Sequence, residues 1–425
     1  MIYPGPLNRE QRLRTQKNYN IFCLINGIAY MCLGETIIVL FSIKLDAPNG
    51  MVAALGAVLY FSYFMLPVGK MVAARVGAAR SQSIFWTARN FVALIVAASA
   101  ITAYCGFEKT ALVQIFIGAC LFYGMRAAGV VMAQPFIGDM ATEEERPHLL
   151  GVSSALFYGG CMFSLMILWY ILSISESVWT ITAIITFGAC LGVTSTRYIR
   201  RMDESPAMIR AARRKILPEI REIMGNYSIR KLILAMFVNT LAIILVGSVS
   251  ILSVKRGYNV SDTAALYFSL IQFVSATGSS FLYSVLVRKL GMRYTLYWGY
   301  AMLLATAVLW LAAPGMLNYV FITLIFIIIG AGQIFSANAM ISYLLAVAPQ
   351  RLWVTTSMVT SAVTSAGAGC CAMAFSSLLF KLIGKFSGDW EALSVFKVYF
   401  LLVLSVLLLL SVFIWQMGDV KGKKA

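Results

Sequence analysis

The sequence predicts an all-α membrane protein with twelve transmembrane helices arranged as two pseudo-symmetric six-helix bundles. Three observations carry this. Apolar residues make up 60% of the 425-residue chain and charged residues only 12%, against about 45–50% and about 25% in soluble domains. The apolar residues fall into blocks of the roughly 20 residues that a membrane helix needs. The blocks divide six and six about one long polar connection. Such a composition cannot cover a water-facing surface, which excludes a soluble enzyme and a disordered chain. The net charge of +17 would suggest nucleic acid in a soluble protein. Here basic loops facing an anionic inner leaflet account for it, and no nucleic-acid partner is expected.

The spans are expected near residues 19–43, 50–74, 82–104, 110–137, 150–173, 177–197, 230–253, 263–287, 293–313, 317–345, 353–383 and 393–416. The polar start of the chain carries Arg9, Arg12, Arg14 and Lys17 and precedes a block too long for a cleavable signal peptide. Alternate connections are rich in Lys and Arg. With the N-terminus inside, 25 basic residues fall on cytoplasmic segments and 7 on the outer ones; Arg89 and Arg126 fall within apolar blocks. That asymmetry places both termini in the cytoplasm, and only an even number of spans preserves it. The compact loops suggest the plasma membrane.

The longest connection separates an N-terminal bundle, 1–197, from a C-terminal bundle, 230–425, by a basic linker, 198–229. Ser205-Pro206 reads as a helix start, with serine as cap and proline at the first helical position. Met208, Ile209, Ala212, Ile216, Leu217, Ile220 and Ile223 follow at helical spacing, with Arg210, Arg213, Arg214, Lys215 and Arg221 among them. This predicts one amphipathic helix on the cytoplasmic membrane surface.

Little in the chain suggests covalent or metal chemistry. The eight cysteines lie almost entirely in apolar blocks, without CxxC or Cys/His spacing, and read as packing residues. The one histidine, His148, sits in a turn, and no HExxH, GxSxG or intramembrane aspartate pair exists. No metal, no cofactor and no enzymatic activity are expected.

The two halves repeat. After span two the chain reads Lys70-Met-Val-Ala-Ala-Arg75-Val-Gly77-Ala-Ala-Arg80, and after span eight Arg288-Lys289-Leu-Gly291-Met-Arg293. Each has a basic residue two before a glycine and an arginine two or three after it. Arg146 after span four corresponds to Arg351 after span ten. On these residues the chain resembles the major facilitator superfamily of transporters. The family signature after span two is roughly G-x-x-x-D-R-x-G-R-R. Arg75 and Gly77 match it, while Lys70, Ala74 and Ala78 stand where the family has glycine, aspartate and arginine. Since the family aspartate helps latch the cytoplasmic side, the latch here is expected to be weakened or rebuilt. Arg75, Gly77, Arg146, Arg288, Gly291 and Arg351 are the cytoplasmic gate candidates.

The resemblance implies alternating access for a small-molecule substrate in a protein that is usually monomeric, with spans one, four, seven and ten lining the cavity. A charge inside a span is costly and usually functional. Glu35 lies well inside span one and Arg126 well inside span four, so both are assigned to proton coupling. A carboxyl that is neutral when dry and charged when wetted or beside a guanidinium can carry a proton. By helical rise Glu35 sits about 24 Å and Arg126 about 16 Å from the cytoplasmic ends. Tyr30, Tyr123, Asn239, Gln272, Gln333 and Asn338 are the substrate-binding candidates; the amides serve equally well as interhelical glue. The serine- and glycine-rich run from Ser361 to Gly369 reads as close packing. Span five lacks the Gly-Pro that marks the family's antiporters, which favours proton-coupled symport. A drug/proton antiporter or a lipid flippase on the same scaffold is the alternative.

Overall fold

The structure, a computed structural model, describes residues 2–3, 5–260, 262–386 and 391–418. Glu35 is described as backbone only. The C-terminal Lys421, Lys423 and Lys424 lie outside the described residues. Among the described residues the only strand-like pairing is one isolated bridge between Ile2 and Glu204; helices form nearly everything else.

Ten helical stretches are individually long and apolar enough to cross a membrane. One of them, Ala265–Leu311, has 47 residues and is interrupted at Gly291, where φ is 85° and ψ 164°, so it holds spans eight and nine. Span two runs through three consecutive shorter pieces, Asn49–Phe61, Ser62–Met65 and Leu66–Val76. With these two readings the twelve expected spans are accounted for. Large apolar side chains such as Phe64, Phe91, Ile101 and Leu409 point outward and are exposed. A helix that is apolar on its outer face is at home in lipid, not in water.

The chain forms two compact units. The first comprises Met1–Leu149, Leu156–Ile220 and Pro349–Ala362. Its core joins Leu33 and Phe41 of span one, Val96 of span three, Ile115 and Phe122 of span four, and Ile181 and Ile185 of span six. Spans one and five approach almost backbone to backbone. A Cβ at Gly27 would overlap the Phe157 carbonyl, and one at Gly160 would lie 2.5 Å from the Leu24 carbonyl oxygen. Small residues are the usual means of such approach in membranes, where van der Waals contact drives helix association. Span one is not continuous. It runs as Arg9–Cys32, breaks at Leu33 and the extended Gly34, and restarts as Glu35–Lys44.

The second unit comprises Leu150–Ala155, Arg221–Ala348 and Val363–Ala425. Trp310 anchors it: its ring stacks on Phe400 at 5.4 Å and its Nε1 donates to the Ser250 hydroxyl at 2.8 Å. Span eleven changes character within itself. Trp353–Ser361 is α-helical, Ala362–Gly367 is π-helical, and Ala368–Phe386 is α-helical again. The serine- and glycine-rich run expected to serve close packing therefore contains a change of helical pitch, and the division between the two units falls at Ala362.

The linker corrects three expectations. It forms two helices, Pro206–Arg213 and Ile216–Gly225, because Arg214 is extended at φ −67° and ψ 145°. Its first apolar face does not lie on lipid: Met208, Ala211 and Ala212 are buried in the first unit, and Arg213 Nε donates to the Ala74 carbonyl at 3.0 Å. Ser205 does not cap the helix with its side chain either. Its hydroxyl and its backbone N–H both donate to Asp139, at 2.5 and 2.9 Å.

Candidate functional site

Within the first unit, polar side chains from spans one, three and four converge. Asn26 and Tyr30 stand one turn apart on span one, Trp86 and Arg89 nearly one turn apart on span three, and Phe122 and Arg126 one turn apart on span four. Helical spacing thus gives each pair a common face. Trp86 Nε1 donates to Asn26 Oδ1 at 3.1 Å, and Arg89 Nη2 reaches the same oxygen at 3.5 Å. The Arg89 guanidinium lies 4.6 Å from the Trp86 ring centre and 5.2 Å from that of Phe122. Arg126 lies 5.0 Å over the Tyr30 ring, and Tyr30 packs tilted against Phe157 at 5.7 Å. Arg89 is only 2% exposed, whereas Arg126 and Tyr30 are half-buried. Ring faces therefore supply much of the stabilisation that a carboxylate would give elsewhere.

Of the sequence candidates, Arg126 and Tyr30 meet directly, and Tyr123 is buried against Phe122 at 5.2 Å. The Glu35 side chain lies outside the described residues; its backbone opens the second segment of span one. Arg89, Trp86 and Asn26 were not among the candidates. The signal for Arg89 was present, a basic residue inside an apolar block, but its position alone did not say which face it occupies.

In the second unit, Gln272 Nε2 donates to Gln333 Oε1 at 3.2 Å, joining spans eight and ten. Asn338 accepts from the Ser154 hydroxyl at 3.2 Å, while its Nδ2 has no partner among the described residues. Asn239 is 2% exposed, and its Oδ1 is likewise unpartnered among them. These amides are thus partly helix glue and partly unsatisfied polar groups within membrane depth.

The cytoplasmic gate candidates divide into two groups. Gly77 and Gly291 share one backbone conformation, φ 95° with ψ 167° and φ 85° with ψ 164°. That region is essentially reserved for glycine. After Gly77 the helix starts at Ala78, and Glu204 from the start of the linker takes the capping role. Its Oε2 accepts from the backbone N–H of Ala78 at 2.5 Å and of Ala79 at 3.3 Å. Burial pushes the Glu204 carboxyl above its ordinary range, and the two N–H donors oppose that shift. Arg146 is buried, 5.2 Å over the Trp353 ring and 3.5 Å from the Gly138 carbonyl oxygen. Arg75, Arg288 and Arg351 are exposed.

Lys70, in the place of the signature's first glycine, is 1% exposed. Its Nζ donates to Glu219 Oε2 at 2.8 Å and to Thr355 Oγ1 at 2.5 Å, and the Thr355 hydroxyl in turn donates to Glu219. Glu219 comes from the second linker helix and Thr355 from the start of span eleven. One buried ion pair thus ties span two, the second linker helix and the start of span eleven together.

Comparison with known proteins agrees with this architecture. The family model described as Major Facilitator Superfamily matches residues 19–370. The chain belongs to that superfamily. Among solved structures, the proton:xylose symporter XylE aligns with a TM-score of 0.71 at 13% identity, covering 97% of this chain and 96% of its own. The human organic anion transporter MFSD10 aligns at 0.70 and 11% identity, covering 95% and 99%. A bacterial homologue of the iron transporter ferroportin aligns at 0.64 and 12% identity, covering 95% and 99%. At these identities the likeness is one of fold. No curated protein matches the sequence.

Proposed function

We propose that this superfamily member is a secondary active transporter that moves a small organic solute by alternating access, coupled to protons as a symporter. The observation that carries the reading is the polar interior of the first unit. Asn26, Tyr30, Arg89 and Arg126 turn toward one another among otherwise apolar spans, an arrangement whose cost membrane proteins bear chiefly at transport sites. The break in span one supports it as well, since interrupted helices recur where transporters bind substrate and ions. Glu35, at the restart, is the proton carrier in this reading. The protein works in the plasma membrane with both termini in the cytoplasm. The symporter aligned above couples a sugar to protons by its name, which agrees with the coupling proposed here but does not fix the solute.

The test is accumulation in proteoliposomes under an imposed pH gradient, using lactate, succinate, glucose 6-phosphate and xylose as solutes. The parent should concentrate at least one of them when the gradient is present. Glu35→Gln keeps size and hydrogen bonding but cannot titrate, and it should lose that concentration by at least about tenfold. Equal gradient dependence in parent and variant would remove Glu35 as the carrier.

A further inference from the structure

We propose that the solute is an organic anion, and that its carboxylate or phosphate binds in the first unit at Arg126, with Arg89 supplying a second positive charge from behind. The proposal deepens the transporter reading and rests on it.

Two arginines come from adjacent spans at membrane depth: Arg89 lies over the Phe122 ring, and Arg126 stands one helical turn beyond Phe122 on the same span. The described ion pairs of the first unit join Arg12 to Glu145, Arg14 to Asp203, Lys44 to Glu176, and Lys70 and Arg214 to Glu219. Neither Arg89 nor Arg126 has a carboxylate at ion-pairing distance among the described residues. Arg89 is nearly fully buried, its Nε has no acceptor among the described residues, and its Nη2 reaches the neutral amide oxygen of Asn26 at 3.5 Å. Ring faces offset part of this cost but cannot neutralise two like charges. A buried cation pair with no carboxylate partner among the described residues is a site that an anion completes.

The exposure of the two residues assigns their parts. Arg126 is half-buried with the Tyr30 ring beneath it, a placement from which a guanidinium can offer paired N–H donors to a carboxylate or phosphate. Arg89 is held against Trp86 and Phe122 and acts through its charge, so it is a positioning residue. Tyr30 and Phe157 present ring surface beside Arg126. That favours an anion with a flat or apolar body over a bare inorganic ion. A cationic cargo would meet two positive charges of the same sign, so this arrangement selects against it.

The experiment is thermal unfolding of the purified full-length protein with millimolar lactate, benzoate, succinate, inorganic phosphate, glucose 6-phosphate, xylose, fucose or choline. Organic anions should raise the midpoint, while xylose, fucose and choline should not. A response confined to lactate, benzoate and succinate assigns a carboxylate, and one confined to glucose 6-phosphate assigns a phosphate ester. Arg126→Gln should weaken the responding anion on the order of 100-fold and Arg89→Gln on the order of tenfold, with Arg126→Lys between parent and Arg126→Gln. The parent's response decides the class even where a variant fails to purify as monodisperse protein. Stabilisation by a neutral or cationic probe alone, by inorganic phosphate alone, or by no anion at all overturns the proposal, as does an anion response unchanged in Arg126→Gln. Transport of xylose by a protein with no anion response sinks the anion class and leaves the transporter reading standing. Anion binding without transport of any of these compounds does the reverse.

Discussion

Lys70 and Arg89 show how burial assigns a meaning to a charge that hydropathy alone cannot. Both are basic residues enclosed by the first unit, yet Lys70 has a carboxylate and a hydroxyl within hydrogen-bond reach, and Arg89 has ring faces and an amide oxygen. Arg126 was legible from the sequence because a charge deep in a span stands out in one dimension. Lys70 was legible only as a departure from a motif, because Glu219 lies 149 residues away on the linker and nothing local announces it. A buried pair is expensive to break and nearly neutral to replace whole. Lys70→Met should therefore cost about 3–5 kcal/mol, and Lys70→Met with Glu219→Leu should recover most of it. The thermal midpoints of the two single variants and the double variant measure this. Additive losses would show that the pair is not the energetic unit.

At the level of elements, the repeat was readable because the turn geometry demands glycine at the same place in each half. Gly77 and Gly291 were matched on basic residues at fixed offsets, and they share a conformation that other residues rarely adopt. Their surroundings differ. A Cβ at Gly77 would run into the Glu204 carboxylate, while one at Gly291 meets nothing within 4 Å. Gly291→Ala should thus cost about 1–3 kcal/mol from backbone strain alone. Gly77→Ala should lower the midpoint further, since it also displaces the Glu204 cap. Equal losses would mean that the cap contributes nothing. The linker was less legible. Its apolar spacing was correct, but a helical wheel cannot show that Arg214 leaves the helix or that the apolar face packs on protein. The pitch change in span eleven was hidden for a related reason: serine and glycine allow close packing and altered pitch alike.

For the whole molecule, the spans were legible in composition, and loop charge assigns the sides as an expectation that labelling tests. Ion pairs within the first unit each join two segments at one end of the bundle, whichever side that end faces. Arg12 with Glu145 and Arg14 with Asp203 join segments assigned to the cytoplasm, and Lys44 with Glu176 joins two assigned outside. Cys105, exposed at the end of span three, provides a native probe. An impermeant maleimide should label it in intact cells expressing the protein, and Cys105→Ser should remove that labelling. Labelling of this site only after permeabilisation would invert the topology.

The central claim is alternating access at a polar site in the first unit, with proton coupling separable from solute binding. Counterflow in proteoliposomes tests it most directly: vesicles loaded with an unlabelled solute that stabilises the protein, diluted into labelled solute with no pH gradient. The account predicts a transient overshoot of label in both the parent and Glu35→Gln, and its loss in Arg126→Gln. No overshoot in the parent, or an overshoot that survives Arg126→Gln unchanged, would contradict it.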